Sequence, residues 1–130
     1  MSVVGWLCLG AALATAYVAV GRRLGVREAR AWWAGGLVVA AALYVAFAVA
    51  RGAPPLAILF EAGGVVVYGA FAWRGLRGDL RWAAAGWLLH PLWDYALHRP
   101  GGFALAPEWY VWLCLSFDVV GGLALWRQAS

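Results

Sequence analysis

Apolar residues fill this chain in blocks about as long as a bilayer is thick, and the charged residues gather between the blocks. A hydrocarbon core of roughly 30 Å needs about 20 apolar residues in helical form. That rule predicts five transmembrane segments, at 3–20, 32–50, 56–73, 82–97 and 109–126. The fourth is the shortest, because its outer end runs into Asp94 and His98, yet omitting it would strand its apolar half in water. Pro54, Pro55 and Pro107 stand where the third and fifth helices should begin, the place in a helix where proline is tolerated. No connection is long enough to hold another domain. The expected fold class is therefore an all-α integral membrane protein, a bundle of five transmembrane helices forming one domain over residues 1–130.

Composition agrees with the pattern. With 65% apolar residues, 12% charged residues and a mean hydropathy of +0.77, the chain has too few polar groups to cover a water-soluble globule. The net charge of +4 comes from arginines lying between apolar runs, which is a topology signal rather than a nucleic-acid footprint. Arg22, Arg23, Arg27, Arg30, Arg74, Arg77, Arg81 and Arg127 fall on one side of the five segments, and only Arg51 and Arg99 on the other. Short arginine-rich loops stay in the cytoplasm, so the N-terminus is expected outside and the C-terminus inside. The first segment lacks a basic stretch before it and is followed by Arg22 and Arg23, and so reads as a retained anchor rather than a cleaved signal.

Indole rings prefer the membrane interface. Trp32, Trp33, Trp73, Trp82 and Trp126 are expected in the inner belt, and Trp6, Trp109 and Trp112 in the outer one. Trp87 and Trp93 flank His90 inside the fourth segment, where no belt explains them. Gly10 with Ala14, Gly36 with Ala40, Gly63 with Gly64 and Gly121 with Gly122 read as packing grooves, since close backbone approach holds helices together in lipid. Cys8 and Cys114 are expected to be free thiols.

Ionisable groups inside apolar segments cost about 2.5 to 3.5 kcal/mol each on insertion scales, and are kept when paired, wetted or used. Glu61, His90, Asp94 and Asp118 are such groups. His90, Asp94 and His98 follow one another at helical spacing and share one stripe. Pro91 frees the carbonyl of Trp87 and favours a kink beside the imidazole. Glu61, Val65, Tyr68 and Ala72 share a face of the third segment, and Val111, Cys114, Asp118 and Gly122 a face of the fifth. These faces are expected to meet the His90 stripe in a polar cavity in the outer half of the membrane.

The run Gly86, Trp87, Leu88, Leu89, His90, Pro91, Leu92, Trp93, Asp94 through His98, with Cys114 and then Asp118 four residues on, resembles a family of small bacterial membrane proteins known as domain of unknown function 6010. The likeness starts near Leu56, includes Glu61 and the stretch 68–76, and covers about the C-terminal sixty per cent of the chain. The family carries a His pair where this chain has Leu97 and His98, and a further Cys between the positions of Cys114 and Asp118. The resemblance implies a bacterial inner-membrane protein with a shared buried polar site, and brings no activity with it.

Three functions suit these residues. The first is a membrane-embedded acid–base enzyme of isomerase or cyclase type acting on a lipidic or isoprenoid-like substrate. Glu61, His90, Asp94 and Asp118 would be its catalytic groups, with Tyr68, Trp87, Trp93 and Cys114 lining the substrate. The second is a metal or cofactor site on His90, Asp94 and His98, with Glu61 or Asp118 added. The third is a proton or ion carrier, or an accessory subunit. No cofactor can be named. Membrane lipid or a lipidic small molecule is the expected partner, nucleic acid is not, and association between copies of the chain is open. There is no GxSxG, HExxH, CxxC or phosphate-cradling glycine loop.

Overall fold

In the computed structural model, which describes residues 2–98 and 106–129 with His98 for its backbone alone, the chain forms five helices. They are α1 (Val3–Arg23), α2 (Val26–Ala50), α3 (Pro55–Arg77), α4 (Arg81–His98) and α5 (Glu108–Ala129). Three of them begin on a recognisable signal. The Ser2 hydroxyl accepts the Gly5 N–H at 3.2 Å, and Pro55 opens α3 at its first position. Asp79 accepts the Arg81 N–H at 2.9 Å ahead of α4, and the hydrogen bond from the Arg81 side chain holds the Asp79 carboxyl below the usual carboxylate range. Gly52, with φ of 63°, turns the chain between α2 and α3. α2 starts six residues before its predicted segment, so Arg27 and Arg30 belong to its first turns. Charge keeps a residue out of hydrocarbon without ending its helix.

Five helices are present, but five crossings are not. α1, α2, α3 and α5 are long and apolar enough to span a membrane, and α4 is not. Its 18 residues reach about 27 Å at 1.5 Å each, and they include Arg81, His90, Pro91 and Asp94. The apolar half of α4 is covered by protein: it packs between α3 and α5 and touches α2. The expectation of a bundle of five transmembrane helices, N-terminus outside and C-terminus inside, is corrected accordingly to four helices that qualify as spans by length and apolarity. The chain is a multi-pass membrane protein, with Val39, Val49, Leu59, Val66 and Leu92 among the large apolar side chains on its outer surface.

The described arginines other than Arg51 nevertheless share one end of the bundle. Arg30, on the first turns of α2, donates to the carbonyls of Gly75 and Gly78 at 2.9 and 2.6 Å, closing the C-terminus of α3. Arg74 lies over the Trp82 ring at 4.7 Å and Arg77 over Trp73 at 4.8 Å, which anchors two of the belt tryptophans at this end. Trp33 does not belong to the belt. It is 1% exposed, and with Val18, Leu37, Tyr68, Ala72, Ala83, Ala84, Trp87 and Leu125 it forms an apolar core in the arginine-end half. Replacing Arg30 by alanine leaves two carbonyls without their charged donor. It is expected to lower stability by about 1.5 to 3 kcal/mol per lost bond, read as an earlier thermal transition in detergent, with Arg30→Lys recovering part of the loss.

α1 and α5 run side by side in the same direction. Trp6 and Trp109 meet with ring centroids 5.1 Å apart, and Gly10 lies against the carbonyl of Leu113. α2 pairs with α3, and α1 meets α2 where the Tyr17 hydroxyl donates to the Trp32 carbonyl, the Trp32 indole donates to the Tyr17 carbonyl at 3.2 Å and the two rings stack at 4.4 Å. Of the glycines read as grooves, Gly10, Gly36, Gly64 and Gly122 press on a neighbour (Leu113, Tyr17, Trp93 and Leu88 respectively), while a Cβ on Gly63 would meet nothing.

Candidate functional site

Four ionisable residues are buried in the bundle: Glu61 on α3, His90 and Asp94 on α4, and Asp118 on α5, each 1% exposed. Three of them converge. His90 Nδ1 lies 2.8 Å from Asp118 Oδ2 and 3.4 Å from Asp94 Oδ2, so one imidazole nitrogen serves two carboxylates. The three ligand-capable atoms all lie within 4.8 Å of one another. Glu61 stands outside this group but close enough for its charge to act on His90 and Asp94. Helical spacing accounts for the convergence on α4, where His90 and Asp94 are one turn apart. α4 continues as helix through Pro91.

Aromatic rings close around the imidazole. Tyr68 of α3 meets it edge-on at 4.9 Å, and its hydroxyl donates to the Leu89 carbonyl at 3.1 Å. Tyr44 of α2, 1% exposed, stands edge-on at 5.6 Å and beside Asp94 and Cys114. Tyr110 of α5 lies 5.6 Å from Tyr44. Sequence reading passes over Tyr44, although a phenol set among Leu43, Val45 and Ala46, away from the helix end where belt tyrosines sit, was a usable signal.

The predicted lining residues divide between two sides. Trp93 rests on Gly64 and meets Tyr68 at 6.0 Å, on the α3 side with Glu61. Trp87 and Cys114 are on the other side, where a cavity of about 250 Å³ opens between α1, α2 and α5. Leu13, Tyr17, Val39, Leu43, Trp87, Leu113 and Phe117 make its apolar wall, and Asp118 and Cys114 stand at its inner end. The Trp87 indole donates to the Trp33 carbonyl at 3.1 Å, so that side chain belongs to core and cavity wall alike. Cys8 is exposed, Cys114 buried, and both are free. The His98 side chain lies outside the described residues, as does Arg99. Glu108 is at the surface, where its carboxylate accepts from the Trp112 indole at 3.4 Å.

No arginine among the described residues is buried, and the chain has no lysine. Among the described residues the His90 imidazole is the basic group that meets Asp94 and Asp118, and with one base between two carboxylates this trio reaches neutrality by holding protons or a cation. Fold and site together define a class, the multi-pass helical membrane protein with a buried His/Asp cluster. Beyond the class, no protein-family model, curated protein or solved structure matches this chain.

Proposed function

We propose that this protein is a membrane-embedded acid–base enzyme that shifts a proton on an apolar, lipid-like substrate, in the manner of an isomerase. The observation that carries the reading is the His90–Asp118 contact of 2.8 Å, with Asp118 forming the inner end of an otherwise apolar cavity. Asp118 is the group that meets the substrate. It gives a proton to one carbon, and the opposite transfer from a second carbon restores the enzyme, so that no redox cofactor is needed. His90 Nδ1 stands between Asp118 and Asp94, and a proton on it can pass to either carboxylate, which allows one residue to donate and recover within a turnover.

The cavity wall supports an apolar substrate. Leu13, Val39 and Leu43, which line it, are 46%, 58% and 40% exposed at the outer surface between α1 and α2, where a molecule dissolved in lipid can approach. An ion path suits the site less well. Toward the arginine end the bundle is filled by Trp33, Leu37, Ala83, Ala84 and Trp87, a largely apolar plug in which the described residues include no ionisable acid or base. Placement in a bacterial inner membrane, and a shared site with the domain of unknown function 6010 family, belong to the same proposal.

The test is solvent deuterium. Protein purified into lipid nanodiscs is incubated in D2O, and the apolar molecules retained with it are analysed by mass spectrometry. One retained species is expected to gain deuterium, and Asp118→Asn and His90→Gln to slow that gain by about 100-fold or more. Ala40→Trp, which fills the cavity, is expected to remove the species itself. Retained molecules that stay free of deuterium in the wild-type protein would sink the reading.

A further inference from the structure

The atoms that share the Nδ1 proton are also placed to share something larger. His90, Asp94 and Asp118, from two helices, each offer one ligand atom within 4.8 Å of the others. A tetrahedral centre with metal–ligand distances of 2.0 to 2.2 Å sets its ligand atoms about 3.3 to 3.6 Å apart. The Nδ1–Asp94 distance of 3.4 Å meets that spacing, and the Nδ1–Asp118 distance of 2.8 Å needs to open by about half an ångström.

A second observation is independent of this spacing. Asp94 is 1% exposed, and among the described residues Tyr44 is the side chain placed to hydrogen-bond it, which with one hydroxyl proton leaves a buried carboxylate oxygen unsatisfied. Buried carboxylates in native proteins are bonded, paired or bound to a metal. One oxygen of Asp94 is turned to the imidazole at 3.4 Å, a distance suited to a bridging ion rather than to a strong hydrogen bond.

We infer that His90, Asp94 and Asp118 form a binding site for one divalent transition cation, held by one imidazole nitrogen and two carboxylate oxygens. Imidazole with carboxylate suits zinc, ferrous iron or cobalt and gives little affinity for soft thiophilic ions. Three protein ligands leave a coordination position open. The rings of Tyr44 and Tyr68, edge-on to the imidazole, hold the ligand in place and keep bulk water away. This goes beyond the acid–base reading, since the cation takes the position of the Nδ1 proton. Loading is therefore expected to stop deuterium incorporation, and the cation would act as an inhibitor of proton transfer.

The experiment uses Co(II), whose visible absorption reports coordination, on full-length protein in detergent stripped with a chelator. One equivalent per chain is expected, with the intense bands of a four-coordinate site and an X-ray absorption edge fitted by nitrogen and oxygen without sulfur. Asp94→Asn and His90→Gln are expected to weaken binding by at least the roughly 10–100-fold that even an outer-shell partner is worth, while Cys8→Ser leaves it unchanged. Failure of the wild-type protein to bind one equivalent, a sulfur ligand at the edge, or unchanged affinity in both substituted proteins would overturn the site. Should the substituted proteins not fold, the edge spectrum of the wild-type protein alone decides. Binding is read without turnover: absent Co(II) binding leaves the acid–base proposal standing, and absent deuterium exchange leaves this one.

Discussion

Replacing Asp118 by alanine is expected to destabilise the bundle by about 3 to 5 kcal/mol, because it leaves His90 and Asp94 buried without the partner that His90 meets at 2.8 Å. The informative comparison is the triple variant with leucine at His90, Asp94 and Asp118. A buried ion cluster replaced by packed apolar side chains is commonly neutral or stabilising by about 1 to 4 kcal/mol. The triple variant should therefore unfold no earlier than wild type in a detergent melt, while losing proton transfer and cation binding altogether. If it unfolds even earlier than Asp118→Ala, the cluster is holding the helices together rather than serving chemistry.

The other large effect lies far from the cluster. Gly10→Val would push a side chain into the Leu113 carbonyl and the Ser116 hydroxyl, and a backbone carbonyl cannot swing aside. Overpacking typically costs about 1 to 3 kcal/mol; here α1 must move off α5, so the upper end or more is expected, seen as a fall in melting temperature and increased protease cleavage near α1. Gly63→Ala is the matched control. A Cβ there meets nothing within 4 Å, and the change should be neutral or stabilising by up to about 1 kcal/mol through helix propensity. Equal losses in both variants would mean that α1 and α5 are not in close contact.

These comparisons show where sequence reading succeeds. A carboxylate in an apolar run has few tolerable places, and that scarcity is why Glu61, His90, Asp94 and Asp118 could be read as one buried group from three helices. Helical spacing added the faces that carry Tyr68, Cys114 and Gly122, all buried. The fourth span was misread because apolar content does not reveal whether protein or lipid covers it, and α4 packs against three other helices. Trp33 was misplaced for a related reason: residue preference put it in the belt, but its rotation on α2 turns it inward, where its carbonyl takes the Trp87 indole. The α1–α2 gap that forms the cavity comes from pairing between helices, and no feature of one segment encodes it.

The pairing of α1 with α5 sets a condition on how the chain is made. Helices leave the ribosome in order, and α2 with α3 can dock as soon as both are in the bilayer. α1 meets α2 through Tyr17 and Trp32 in its C-terminal half, but Gly10, nearer its other end, has no partner until Glu108–Ala129 has been synthesised and brings the Leu113 carbonyl against it. The N-terminal half of α1, made before α2 and α3, is thus fastened after both. A chain arrested before α5 would carry α1 held at its Tyr17 end alone, its Gly10 face open to a helix of another nascent copy or to quality-control proteases that extract unassembled segments.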